Sequence, residues 1–215
     1  MRNADRCQYG RVAVVTGASS GIGQAVARQL ADRGFVVYAL SRRVKETADA
    51  ETYTGGGRIL PLACDVNDEC SAADALSRVA AEGGGSFGIL VNCAGYGIAG
   101  PVEETSDEDA RAQMETNFFG TVRMCRLALP YLRAAGRGLI LNTGSVAGFV
   151  PIPFQAHYSA SKAAIDALSL ALDGEIRRFG VRCVLVQPGD TRTGFTDARI
   201  TAKGAGHPAS LYNGS

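Results

Sequence analysis

Val12-Ala13-Val14-Val15-Thr16-Gly17-Ala18-Ser19-Ser20-Gly21-Ile22-Gly23 is the stretch that decides the fold. Its first four residues are apolar and mostly β-branched, the composition of a strand buried on both faces. Past the glycines, Ala25, Val26 and Leu30 recur at helical spacing. The stretch therefore reads as a strand, a glycine turn and a helix start. Glycine lets the backbone turn tightly and lets a diphosphate come close, and the free N–H groups and positive dipole end of the following helix attract an anion. The expression G-x-G-x-x-G does not match here; the glycines stand instead as Gly17, Gly21 and Gly23, a spacing variant of the same device. Thr16, Ser19, Ser20 and Ile22 complete the set of candidate anion-holding residues.

Outward from this stretch, strand-like runs alternate with helical patterns: Val12 to Val15, Phe35 to Leu40, Ile59 to Ala63, Ile89 to Val91, Leu139 to Asn142 and Val181 to Val186. Their spacing leaves room for a crossover helix each time. This predicts an α/β fold: a Rossmann-like, doubly wound parallel sheet with strand order 3-2-1-4-5-6 and ligands outside the carboxyl ends of the strands. The strand ends Thr16, Asn92, Ser145 and Gln187 then face one crevice. No linker or repeat divides the 215 residues, so 1–215 is expected to form a single domain.

Composition excludes several functions. The net charge of +1 spreads over 22 basic and 21 acidic side chains without long runs, which argues against a nucleic-acid or membrane-surface footprint. No apolar stretch approaches the roughly 20 residues that span a bilayer. The six cysteines form no C-x-x-C pair, and Cys64, Cys93 and Cys183 sit in or beside predicted strands as small apolar fillers. The expectation is a cytoplasmic protein with no metal and small-molecule partners.

The second informative stretch is Tyr158-Ser159-Ala160-Ser161-Lys162, which puts a phenol and an ammonium on one helix face. A cation at roughly 4 Å, with an effective dielectric near 20, is worth about 4 kcal/mol, or roughly three pKa units before desolvation. Such a Tyr is expected to trade protons near neutrality. Ser145 follows the run Leu139 to Leu141 and precedes Tyr158 by thirteen positions, so a strand end can hold its hydroxyl opposite the helix.

Taken together, these residues resemble the short-chain dehydrogenase/reductase family. The likeness runs from Arg11 to about Phe195 and rests on Thr16 to Gly23, Asp65, Asn92-Cys93-Ala94-Gly95, Asn117, Ser145, Tyr158 with Lys162, and Pro188-Gly189, in that order. Gly120 to Met124, Thr143 to Gly148 and Pro153-Phe154 are similar to its 17β-hydroxysteroid dehydrogenase branch. The resemblance implies an NADP(H)-dependent oxidoreductase that interconverts a hydrophobic ketone and a secondary alcohol. Tyr158 would be the general acid/base, Ser145 would hydrogen-bond the substrate oxygen, Lys162 would anchor the nicotinamide ribose, and Asn117, inside a long helix from about Ala110 to Ala135, would hold a relay water through its carbonyl. Asp65 and Val66 would contact the adenine, and Asn92, Ala94 and Gly95 would pass under the ribose. Pro188, Gly189, Thr191 and Thr193 would surround the nicotinamide and phosphates.

Strand two ends at Ser41-Arg42-Arg43, where an NAD-preferring fold places Asp or Glu to accept from the ribose hydroxyls. Arg42 offers a planar fork suited to a 2′-phosphate, with Arg43 beside it and Ser19 as a further donor. NADP(H) is expected in preference to NAD(H), which the same turn would still admit. Tyr96, Val146, Phe149, Val150, Ile152, Phe154 and Phe195 form an apolar set for substrate. His157 either faces that substrate or is solvated at the helix start. Ala160, Ala163, Ala164, Ala167 and Ala171 make a small-residue surface that permits close helix approach, and the resemblance implies a homodimer, with a tetramer left open.

One departure stands out. Relatives add a helix and a seventh strand after a mobile substrate loop, whereas only twenty residues follow Phe195 here, and Ala198 to Ser215 shows no strand-like run. Residues 194–215 are expected to be a mobile loop or tail, with Val181 to Val186 ending the sheet at an apolar edge. An alternative function is a non-catalytic NADP-binding sensor on the same fold.

Overall fold

The computed structural model describes residues 7–44, 50–191, 199–202, 205 and 210–212. In chain order its main elements are β1 (Val12–Thr16), α1 (Gly21–Asp32), β2 (Val36–Ser41), β3 (Glu51–Thr52), β4 (Arg58–Ala63), α2 (Glu69–Glu82), β5 (Ile89–Asn92) and β6 (Ile98–Ala99). There follow α3 (Asp107–Met114), a π-helical turn (Glu115–Phe119), α4 (Gly120–Ala134), β7 (Gly138–Thr143), α5 (Val146–Phe149), α6 (Ala156–Ile176), β8 (Val181–Val186) and β9 (Ile200–Thr201).

The sheet order is β3-β4-β2-β1-β5-β7-β8. The six expected strands are β1, β2, β4, β5, β7 and β8, all paired in parallel and in the expected 3-2-1-4-5-6 order. The order reverses between β1 and β5, where Thr16 and Asn92 stand side by side in register. Helices α2, α4 and α6 cover one face, packing Leu76, Val79, Met124, Leu132 and Leu172 against Val14, Leu90 and Ile140. The other face carries α1, whose Ala27 and Ala31 meet Ala13, Val15 and Val37. Each large side chain removed from water in this way contributes about 2 kcal/mol.

Two features differ from the sequence expectation. Between β2 and β4 the described residues hold no crossover helix but β3, an antiparallel edge strand closed by a turn in which Gly56 takes φ 83°. Its exposed Glu51-Thr52 carries no alternation of apolar residues, so the sequence pattern could not reveal it. The stretch expected to be strandless contains β9, which pairs with β6 as Ile98↔Ile200 and Ala99↔Thr201. Two residues are too few to leave a periodic signal. The tail strand thus joins β6, not β8, and among the described residues β8 remains the sheet edge, with Val184 and Val186 half-exposed. Among the described residues no helix is long and apolar enough to cross a membrane, and no cluster of side chains suits a metal ion. All six cysteines are free thiols.

Candidate active site

The glycine turn leaves β1 with Gly17 at φ 64° and enters α1 with Gly21 at φ 54°, conformations that L side chains rarely adopt. A Cβ on Gly17 would lie 2.8 Å from the backbone of Ala94, and one on Gly23 would lie 2.4 Å from the Gly17 carbonyl oxygen. The glycines are therefore required by how closely the turn packs on the end of β5. Thr16 completes the stitch, its Oγ1 accepting from the backbone N–H of Cys93 and of Ala94 at 3.1 Å each. Ser20 is the N-cap of α1 but makes no side-chain capping bond, so its hydroxyl and that of exposed Ser19 border a helix end whose first N–H groups have no intrahelical partner. These residues fit a diphosphate: bare donors, two hydroxyls and a positive dipole end.

From this turn the path to Tyr158 and Lys162 is short. A Cβ on Gly95 would meet the Asn117 carboxamide oxygen at 3.0 Å and the Lys162 Nζ at 3.9 Å, so one loop, Cys93 to Tyr96, touches both halves of the site. Lys162 is buried and its ammonium donates to the Thr143 carbonyl oxygen at 2.7 Å, at the end of β7. Cys93 Sγ lies 3.2 Å from Thr143 Oγ1. Ser145 caps the short α5, accepting from the Ala147 N–H at 3.1 Å, and its hydroxyl acts on the Tyr158 phenol, favouring its ionisation.

Asn117 sits in the π-helical turn, a distortion common at functional sites. The long helix expected from Ala110 to Ala135 is in fact α3, this turn and α4. The Asn117 side chain is fully buried and spent on structure: Oδ1 accepts from the Tyr96 N–H, and Nδ2 donates to the Tyr96 carbonyl and to Ser161 Oγ, each at 3.0 Å. Its backbone carbonyl accepts from Thr121 Oγ1 at 2.9 Å.

The charges correct one expectation. Burial pushes the Tyr158 phenol up, while the Ser145 hydrogen bond and the Arg199 charge pull it down; Lys162 is not among the groups that lower it. The Lys162 Nζ stands 5.8 Å from the centroid of the Tyr158 ring. Burial lowers Lys162 itself to about 8, with Cys93 and Asp166 opposing. In the chain alone, desolvation outweighs the Coulomb gain that the four-residue spacing promised. Arg199 was not foreseen at all, because it lies beyond the apolar mouth in a stretch without pattern.

The remaining positions divide. Asn92 does not turn its side chain to the crevice: Nδ2 donates to Asn142 Oδ1 at 2.9 Å, and Asn142 donates on to Ser169 at 3.0 Å, a buried polar ladder that ties β5, β7 and α6 together. Asp65 accepts from the Asn67 N–H, and buried Val66 packs where a Cβ on Gly120 would come within 2.9 Å. Ser41 donates to the Arg43 carbonyl at 3.2 Å, leaving the exposed Arg42 and Arg43 at the strand end. Burial and Asp109 push the Tyr96 phenol up, and the Arg42 charge pulls it back. Val146 lies against Gly189. Val146, Phe149, Val150, Ile152 and Phe154 are all exposed, Phe149 by 81%. Phe154 holds φ 62°, its carbonyl accepts from the Gly100 N–H at 2.8 Å, and its ring meets Tyr212 edge-on at 6.3 Å. Thr191 donates to the Gly189 carbonyl at 3.1 Å. Thr193 and Phe195 lie outside the described residues. His157 lines a cavity of about 640 Å³ with Asp107, Arg111, Glu115 and Phe119.

Comparison with known proteins agrees with this geometry. The model of the family described as short chain dehydrogenase matches residues 11–204. The chain is 42% identical over 189 residues to the 3-ketodihydrosphingosine reductase of Bacteroides thetaiotaomicron, covering 88% of this chain and 67% of that protein. It is 36% identical over 205 residues to the NADPH-dependent 1-acyldihydroxyacetone phosphate reductase of Saccharomyces cerevisiae, covering 94% and 67%. To the human 17-beta-hydroxysteroid dehydrogenase type 1 it is 36% identical over 195 residues, covering 86% and 58%. The chain thus spans about two thirds or less of the length of these relatives.

Proposed function

Because the chain belongs to the short-chain dehydrogenase family, oxidoreductases acting on CH–OH groups, we propose that it interconverts a hydrophobic ketone and a secondary alcohol with NADP(H) in preference to NAD(H). The single observation that carries the reading is the loop Cys93 to Tyr96, which lies against both the glycine turn and Lys162. A diphosphate held by the turn and a substrate held by Tyr158 would therefore share one crevice at the strand ends. Bound NADP(H) supplies the hydride chemistry.

The chain's own residues do the rest. Tyr158 donates a proton to the carbonyl oxygen or takes it from the alcohol, and Ser145 hydrogen-bonds the same oxygen. Lys162, already buried against Thr143, holds a ribose hydroxyl with its ammonium. The Asn117 backbone carbonyl orients a water that passes protons to solvent. Thr16, Gly17, Ser19, Ser20, Gly21, Ile22 and Gly23 cradle the diphosphate; Asp65 and Val66 border the adenine, Ala94 and Gly95 the ribose, and Pro188, Gly189, Thr191 and Thr193 the nicotinamide. Arg42, aided by Ser41, Arg43 and Ser19, takes the 2′-phosphate. The name of the yeast relative, an NADPH-dependent reductase, supports the cofactor preference. The exposed Val146, Phe149 and Phe154, with Tyr96 and Phe195, support an apolar substrate. Exposed Ala160, Ala163, Ala167 and Ala171 on α6 support a homodimer through that helix.

A spectrophotometric panel of ketones of rising apolar bulk, run with NADPH and NADH, tests this. Turnover is expected with NADPH and bulky apolar ketones, with NADH at least about tenfold poorer. Tight nucleotide binding without oxidation of NADPH across the panel would replace the enzyme by a sensor.

A further inference from the structure

Asp166 lies one helical turn beyond Lys162 on α6, and no role for it follows from the proposed chemistry. Its Oδ2 accepts from Gln187 Nε2 at 2.6 Å, and Gln187 leads directly into Pro188-Gly189. Its Oδ1 is buried without a hydrogen-bond partner. A Cβ on Gly144 would fall 2.7 Å from that Oδ1, and one on Gly148 would fall 3.1 Å from Oδ2. Two glycines on either side of Ser145 thus leave room for a carboxylate. One side chain thereby meets three segments of the site: the Ser145 loop, the Lys162 helix and the turn after β8.

We infer that Asp166 is a positioning residue of this site, tying α6 to the Gln187–Gly189 turn and supplying the negative charge that keeps Lys162 an ammonium. The inference rests on the oxidoreductase reading for its meaning, though not for its test. The groups facing Lys162 are Cys93 from the β5 end, Tyr158 and Asp166 from α6, and the Thr143 carbonyl from β7. Burial pushes the Cys93 thiol up, and Tyr158 is likewise pushed up, so both are neutral at pH 7. Asp166 is then the acidic group whose charge opposes the effect of burial on Lys162 among these groups. Its own carboxyl is raised by burial and pulled back by Gln187 and Lys162. A carboxylate that served only as a helix-to-loop tie would do as well with a neutral amide, which separates the two roles.

Two variants of the full chain divide these roles. Asp166→Asn keeps an acceptor for Gln187 and removes the charge; Gln187→Ala keeps the charge and removes the tie. The Lys162 titration is followed by NMR of the lysine-labelled protein without nucleotide, with the signal assigned by its loss in Lys162→Met. NADP+ affinity is read by calorimetry. In Asp166→Asn the Lys162 midpoint is expected to fall below that of the wild type, about 8, and in Gln187→Ala it is expected to stay. Gln187→Ala is expected to weaken NADP+ by about threefold to tenfold, the worth of one hydrogen bond. An unmoved midpoint in Asp166→Asn, or unaltered NADP+ affinity in Gln187→Ala, overturns the proposal. Gln187 is exposed, so that variant folds irrespective of Asp166. Failure of the wild type to reduce any carbonyl would sink the oxidoreductase reading while leaving the midpoint to decide this one.

Discussion

The two halves of the site are built by opposite means. At the end of β1 the geometry depends on side chains that are missing: Gly17, Gly21 and Gly23 let backbone meet backbone, and Thr16 supplies a side-chain stitch to Cys93 and Ala94. At the start of α6 the geometry depends on side chains that are present, buried and hydrogen-bonded: Lys162 to the Thr143 carbonyl, Asn117 to Tyr96 and Ser161, with buried Tyr158 beside them. A cradle of glycines binds what the backbone offers and tolerates no added atom. A cluster of buried polar groups sets charge and tolerates change only where hydrogen bonding is conserved. Substitutions in the first half should therefore act on binding and stability, and substitutions in the second on turnover.

The sharpest test of that contrast is Tyr158→Phe. The phenol oxygen is lost while the ring keeps its packing, so NADPH affinity should hold and turnover should fall by on the order of a hundredfold or more. Steady-state kinetics beside calorimetric binding reads both. Undiminished turnover would mean that another group is the acid.

The complementary test is Gly17→Ala. Its Cβ would sit 2.8 Å from the Ala94 backbone at a residue with φ 64°, so strand β5 or the turn must give way. Denaturant unfolding should show a loss of about 2 kcal/mol, and NADPH binding should weaken with it. Stability equal to the wild type would mean that the turn is not held by close approach. Smaller again is Arg42→Ala, an exposed change outside the cradle. It should weaken NADPH about tenfold, as removal of a charged donor to phosphate does, and leave NADH nearly untouched. Equal losses would discard the phosphate assignment.

The same contrast explains what was legible in the sequence. The glycine half was readable because its information is local: apolar run, glycines and helix follow one another within Val12 to Leu30. The order of the six main strands was readable because buried parallel strands are continuous apolar runs. The Tyr158 half was readable only as a list of residue types. Its charge balance arises from Asp166, one helical turn from Lys162, and from Thr143, Cys93 and Arg199, which approach Lys162 or Tyr158 only in the folded chain. For that reason the expected acidic Tyr158 gave way to a phenol raised by burial. The Asn92 side-chain bond was equally illegible, since nothing local says that its amide meets Asn142. Glu51-Thr52 and Ile200-Thr201 were too short to show a period. Asp166 alone had a sequence signal that went unused, its four-residue spacing from Lys162.

The smallest expected effect concerns the far end of α6, which must hold still for Tyr158 and Lys162 to keep their places. There the Asp173 carboxylate accepts from Arg177 Nη2 at 2.6 Å, from Arg182 Nε at 2.8 Å and from the Cys183 N–H at 2.9 Å, pinning the helix to β8. These donors, Arg182 first, hold its carboxyl well below the usual range. Both arginines are about half exposed or more, so solvent screens much of the attraction. Asp173→Asn should cost about 1 kcal/mol at neutral pH, read by denaturant unfolding. The sign with pH follows from the depressed value: the unfolded chain binds the proton more readily than the folded one. The wild-type contribution is full above the ordinary Asp value, about 4, and is lost as pH falls below it toward the folded value. The gap between wild type and variant should therefore be constant from neutral pH down to about 5 and close in stronger acid. A gap that persists undiminished in strong acid would show that Asp173 acts by packing alone, and that α6 is anchored there by shape and not by charge.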